Sequence, residues 1–189
     1  MHRIAVIGGD GTGPEVIEEG VEVKRPEIGV LIEVPAAVYQ ARLLAKEADF
    51  MAVGSNDLTQ YLLAVDRNNP RVADLYQEVH PAVIAALREV ARAAHAEERP
   101  LGICGELAGT PAGAILLMAM GYHVLSMNAT HLLRVKWVIR NIKRSDARRM
   151  LARVLRMDTA EEVTAFLHKD MVRLGLSKVM PARSTTQLH

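Results

Sequence analysis

Cys104, the one cysteine of this 189-residue chain, ends the apolar run Leu101-Gly102-Ile103 and opens Gly105-Glu106-Leu107-Ala108-Gly109. Two upstream segments close in the same way. Gly29-Val30-Leu31-Ile32 runs into Glu33, and Phe50-Met51-Ala52-Val53-Gly54 runs through Ser55 into Asn56 and Asp57. An acid, an amide-acid pair and a thiol thus each stand where a strand-length apolar run gives way to the next segment, the arrangement of the catalytic rim of a βα barrel rather than of a core. In a parallel βα array the carboxyl ends of neighbouring strands converge about 4.8 Å apart, so Glu33 and Asp57 could share one cation. Two carboxylates with open water positions suit Mg²⁺, which keeps several waters and also binds substrate phosphate or carboxylate oxygens. Spacing alone leaves a second reading open, in which the two acids are simply solvated at strand ends.

The elements that must position this rim follow from the apolar pattern. Strand-length runs fall at Arg3 to Gly8, Gly29 to Val34, Phe50 to Gly54, Leu101 to Gly105 and Val124 to Asn128. Segments of helical period lie between them, so the order is βαβα and the sheet or barrel is parallel. Pro35, Pro81 and Pro111 stand at helix starts, where a missing N–H costs nothing; Thr110 caps the helix from Pro111 and Gly121 stops it. Past Pro81, the stripe Val83, Ile84, Leu87, Val90, Ala91 and Ala94 predicts a helix packed on the sheet. From Arg134 to about Leu174 the period stays helical, with one break near Asp158, where Thr159 and Glu162 make a capping-box pattern. Lys24 to Glu27, charged and carrying a proline, reads as a junction, and Pro181 to His189 as a frayed end.

Composition bounds the function. Half the residues are hydrophobic, and 23 Lys and Arg nearly balance 22 Asp and Glu, which excludes general disorder and a strong field for nucleic acid. Nine basic residues lie between Arg134 and Arg156 against Asp146 alone, but Leu132, Val135, Ile139 and Ile142 interleave them and Trp137 stands without aromatic company. These are amphipathic helices with solvated basic faces, so no nucleic-acid partner is expected. One cysteine permits no internal disulfide, no run of roughly 18 apolar residues could span a bilayer, and the acidic first twenty residues do not read as a signal peptide. The expected compartment is the cytoplasm, with no membrane association.

The longer motifs carry a resemblance. Gly29-Val-Leu-Ile-Glu33-Val-Pro-Ala-Ala, Val53-Gly-Ser-Asn56-Asp57-Leu-Thr-Gln-Tyr, Leu63-Ala-Val-Asp66-Arg67-Asn-Asn-Pro, Leu75-Tyr-Gln-Glu-Val-His80-Pro and Cys104-Gly-Glu-Leu-Ala-Gly run in order within roughly Arg25 to Gly175. Together they resemble the phosphoenolpyruvate-binding barrel of enzyme I, the phosphoenolpyruvate-protein phosphotransferase of the bacterial sugar phosphotransferase system. The wording Asn128-Ala-Thr and Arg134-Val-Lys-Trp-Val-Ile-Arg is most similar to the nitrogen-related paralogue. The resemblance implies an α/β fold made of the last four βα units of an eight-stranded TIM barrel, with C-terminal helices. It implies Glu33 and Asp57 as ligands of Mg²⁺, with Mn²⁺ as an alternative. Asn56, Asp57 and Arg67 would bind substrate at its phosphoryl group, and Cys104 would be the catalytic acid that protonates the enolate carbon. Mg²⁺ and a guanidinium would offset charge on the transferring group, and a thiol can deliver the proton.

Departures from the family pattern qualify the expected activity. The phosphate-holding arginines of the first four barrel strands and the histidine domain that carries the phosphoryl group have no counterpart here. His80 is not that histidine; it precedes a helix and is expected to cap it. Thr110 stands where the family usually has an acid, and His131-Leu132-Leu133 replaces a more usual Ser-Leu-Pro. Residues 1–24, with Met1-His-Arg-Ile-Ala-Val-Ile-Gly-Gly-Asp10-Gly-Thr-Gly-Pro, resemble instead the amino terminus of the isopropylmalate and isocitrate dehydrogenase family, although Pro14 stands where a dinucleotide fingerprint needs its third glycine. The expected organisation is a fusion: 1–24 as a dehydrogenase-like βα element, 25–176 as the half barrel with its helices, 177–189 as tail.

Phosphoenolpyruvate or pyruvate would then be the small-molecule partner, with a phosphocarrier protein engaged only if the missing histidine domain is supplied. Two other readings stand beside an incomplete phosphotransferase: a metal- and phosphoenolpyruvate-binding or oligomerisation module without turnover, and a fragment with no stable fold. Half a barrel leaves two strand edges and an apolar sheet face uncovered, so self-association is expected.

Overall fold

The structure is a computed structural model that describes residues 26–176 and Lys178. The expected Arg3 to Gly8 strand, the dehydrogenase-like element of residues 1–24 and the frayed tail lie outside the described residues. Four strands form one parallel sheet in the order β1 (Gly29–Ile32), β2 (Phe50–Gly54), β3 (Leu101–Cys104), β4 (Val124–Ser126). Helices follow each: α1 (Pro35–Tyr39) and α2 (Ala41–Glu47), then α3 (Ser55–Leu63) and α4 (Pro81–Ala96), α5 (Glu106–Gly109) and α6 (Pro111–Met120), and finally α7 (Ala129–Asn141), α8 (Arg144–Val154) and α9 (Ala160–Arg173). Sequential strands are spatial neighbours throughout, as in the successive units of a βα barrel.

Because side chains alternate across a strand, the register defines two faces. Ile32, Val53, Ile103 and Leu125 lie side by side in one row, and Leu31, Ala52, Gly102 and Val124 in the next. The first row is covered: Ile32, Val53 and Ile103 are fully or almost fully buried and join Val83, Ile84, Leu87 and Val90 of α4 and Ile115 and Leu117 of α6 in one core. Each such aliphatic side chain contributes about 1.5–3 kcal/mol of burial free energy. The second row is open, with Leu31 49% and Val124 60% exposed. The uncovered apolar face expected for half a barrel is therefore present among the described residues.

Helix ends follow local chemistry. Pro35, Pro81 and Pro111 each open a helix. His80 caps α4, its Nδ1 accepting the Ala82 N–H at 3.1 Å. Thr110 Oγ1 accepts the Gly113 N–H at 3.0 Å, and Gly121 ends α6 in the left-handed conformation. Thr159 and Glu162 form the reciprocal capping box of α9. Arg153 of α8 stacks 4.9 Å over the Phe166 ring of α9, which ties the last two helices together.

Three boundaries differ from the sequence expectation. Val34, Gly105 and Asn128 lie outside the strands: Val34 precedes a proline, Gly105 turns with φ +129°, and Asn128 caps α7, its Oδ1 accepting the Thr130 N–H at 3.0 Å. The continuous helix from Arg134 to Asp158 is instead two helices, because Ile142 and Lys143 are extended (ψ 139° and 140°). The first of the two also begins earlier than Arg134, at Ala129.

Candidate active site

The β2–α3 and β3–α5 turns meet at the carboxyl edge of the sheet, and glycines decide how closely. At Gly105 the chain turns through φ +129°, and a Cβ there would collide with Ser55 Oγ and lie 2.8 Å from Asn56 Oδ1. Only glycine both adopts that backbone and leaves the space. The turn delivers the Glu106 N–H to Asn56 Oδ1 at 3.0 Å, while buried Ser55 donates its hydroxyl to the Cys104 carbonyl at 3.1 Å. Tyr76 adds its hydroxyl to the same Asn56 oxygen at 3.5 Å. With Oδ1 occupied by two donors, the Asn56 amide nitrogen is left as a donor.

Cys104 is exposed, and its S–H lies 3.6 Å from the Val53 carbonyl oxygen. A cleft of about 520 Å³ places it beside Asn56, Gly105, Ser126 and His131. Arg67 joins this group through Glu106 and Gln60: its guanidinium pairs with Glu106 at 3.8 Å, and its backbone N–H donates to Gln60 Oε1 at 3.1 Å. Gln60 also donates to Asp57 Oδ1 at 3.2 Å, so one amide side chain links Asp57 to the Arg67 loop.

Glu33 leans from the end of β1 across Gly54, where an added Cβ would lie 2.7 Å from its Cγ and 2.9 Å from its Cδ. Gly54 is thus the cradle that admits the Glu33 side chain to the rim. Among the described residues no set of three or more His, Cys, Asp or Glu side chains gathers to hold a metal. Glu33 follows β1 and Asp57 lies in the first turn of α3, and each offers carboxylate oxygens, the donor type that a hard cation takes.

Tyr76 and Glu78 belong to this neighbourhood but carried no role in the sequence. Glu78 lines the cleft with Cys104, its Oε1 is buried without a hydrogen-bond partner among the described residues, and burial, reinforced by Glu106, pushes its carboxyl up to about 7. Burial and the Glu78 charge likewise push the Tyr76 phenol up to about 12. The loop also reaches α9, far downstream, where Glu161 accepts from the Gln77 amide at 3.1 Å. No local pattern around Glu78 announces that contact.

A parallel βα array with an amide, carboxylates, an arginine and a thiol at its carboxyl edge has the layout in which α/β folds place their ligand sites. Comparison with known proteins narrows the class. The family model described as PEP-utilising enzyme, PEP-binding domain matches residues 12–144, and the chain belongs to that family. A protein of Escherichia coli (strain K12) named phosphoenolpyruvate-dependent phosphotransferase system is 44% identical over 165 residues, 87% of this chain and 22% of that protein. Phosphoenolpyruvate-protein phosphotransferase of Haemophilus influenzae is 40% identical over 151 residues, 80% of this chain and 26% of that protein. A multiphosphoryl transfer protein of Xanthomonas campestris is 44% identical over 146 residues, 76% of this chain and 17% of that protein. The chain therefore spans about a quarter or less of these relatives. The family match begins at residue 12, inside the segment 1–24 that the sequence reading sets apart from the half barrel.

Proposed function

We propose that the chain is the phosphoenolpyruvate-binding part of an enzyme I type phosphoenolpyruvate-protein phosphotransferase, made of the last four units of its barrel. Family membership supports the class, and the single geometric observation that carries the site is the convergence of Asn56, Glu106 and Cys104 at the Gly105 turn. In this reading the Asn56 amide nitrogen donates to a phosphoryl oxygen and Arg67 offsets phosphoryl charge. Cys104 gives its proton to the enolate carbon: the S–H bond breaks, a C–H bond forms, and the thiol is restored from solvent. Glu33 and Asp57 would hold Mg²⁺, or Mn²⁺ in its place, and the ion would supply electrostatic stabilisation of the charge on the transferring group.

The finer assignments are proposals of the same standing. The Asn128-Ala-Thr and Arg134 to Arg140 wording supports the nitrogen-related paralogue. The dehydrogenase-like wording of residues 1–24 supports a separate origin for that segment. A phosphocarrier protein would take the phosphoryl group only where a histidine domain is supplied, and the compartment would be cytoplasmic. Among the described residues no helix is long and apolar enough to cross a membrane. The open Leu31, Ala52, Gly102 and Val124 row supports self-association.

Calorimetric titration with Mn²⁺ tests the metal site. Weak saturable binding is expected in the native chain and none in the Glu33→Ala, Asp57→Ala double variant. Equal heats in the two proteins would remove the site.

A further inference from the structure

A second cavity, of about 450 Å³, opens between the Tyr76–Val79 loop, the start of α6 and α9. That volume lies in the range that holds small organic ligands. Val79, Pro111, Leu167 and Met171 make an apolar wall, and Leu167 and Met171 belong to the core itself. At one end stand two carboxylates, Glu78 and Glu106. The Glu78 Oε1 is buried and has no hydrogen-bond partner among the described residues, an expensive state for a carboxyl oxygen. The Arg67 guanidinium, whose charge is felt at Glu78, pairs with Glu106 at 3.8 Å. The Leu107 backbone N–H serves the Glu78 carboxyl, yet among the described residues Oε1 stays without a partner beside an apolar wall, which calls for an occupant that is apolar along its length and donates a charged hydrogen bond at its tip.

We propose that this cavity binds a small primary amine with an apolar body, its ammonium group held by Glu78 and its body packed on the wall of Val79, Pro111, Leu167 and Met171. A neutral alcohol would fill the same space, but two neighbouring carboxylates favour a cation. The Glu78 carboxyl, raised to about 7 when the cavity is empty, would then be held ionised by the ammonium group. The site shares Glu78, Glu106 and Thr110 with the Cys104 cleft, yet it does not depend on what that cleft binds.

Calorimetric titration of the full chain at about pH 8, where Glu78 is ionised, compares 2-phenylethylamine with its neutral counterpart 2-phenylethanol. Saturable binding of the amine is expected, with the alcohol at least about tenfold weaker. Glu78→Gln should lower amine affinity by a similar factor, and Ala112→Phe, which fills the cavity, should abolish it. Circular dichroism verifies that each variant is folded, and if Glu78→Gln is not, the alcohol comparison and Ala112→Phe decide the outcome. No saturable heat from the amine, equal binding of amine and alcohol, or undiminished binding in a folded variant would overturn the proposal.

Discussion

Cys104 carries the sharpest claim at the scale of single residues, because a lone cysteine is by default a small core residue. Its exposure in the cleft with Asn56 and His131 departs from that default. It should react with iodoacetamide in the folded protein, and phosphoenolpyruvate with Mg²⁺ should slow the reaction severalfold; a thiol that reacts only in denaturant would be packing. Glu78 makes a second prediction through its raised carboxyl. Between the ordinary value of 4.5 and about 7 the folded state binds more protons at Glu78 than the unfolded state does. Stability from this group is thus complete below 4.5 and is lost as pH rises through about 7. Chemical denaturation from pH 5 to 8 should show that decline, and Glu78→Gln should flatten it, gaining on the order of 2 kcal/mol at pH 8 after allowance for partial exposure. An unchanged slope in the variant would contradict the assignment.

Among the elements, the β3–α5 turn and α4 are the most exacting. Gly105→Ala puts a Cβ into Ser55 Oγ and forces an alanine to φ +129°, so it should destabilise the fold by about 1–3 kcal/mol or displace the turn. Leu87→Ala, at the centre of the α4 stripe and fully buried, should cost about 2–5 kcal/mol in the same denaturation measurement. The two sites also mark what the sequence could disclose. The α4 stripe, the helix-opening prolines, the Thr159–Glu162 box and the His80 cap were all legible, because each rests on residues within one or two turns of one another. The break at Ile142 and Lys143 was not, since the apolar period runs across it and the two segments separate only to pack α8 on α6. The Glu78 environment was equally hidden, because it is built with Glu106 and Leu107 of α5 and with a cavity whose far wall is α9, distant in the chain. At the rim, residue types and strand-end positions pointed to Cys104, Asn56, Asp57 and Glu33. Neither the Asn56 contact with the Glu106 amide nor the Glu33 lean over Gly54 follows from spacing alone.

For the whole molecule the decisive feature is the contrast between the two sheet faces. One is sealed by helices, and the other presents Leu31 and Val124 in a row that runs across all four strands. An open face of this kind, with β1 and β4 at the sheet's edges among the described residues, favours association, so light scattering at micromolar concentration should give a mass above that of one chain. A well-folded monomer would argue that the face tolerates water. Self-association and the rim are separable, because the Asn56 to Cys104 contacts are built within one chain. The measurement that bears most directly on the central claim is therefore a calorimetric titration of phosphoenolpyruvate with and without Mg²⁺, in the native chain and in Asn56→Ala and Arg67→Ala. Saturable binding that requires Mg²⁺ and weakens about tenfold or more in each folded variant is the predicted result. Binding indifferent to Mg²⁺ and to both substitutions, or no binding at all by a folded chain, would contradict a phosphoenolpyruvate site at this rim.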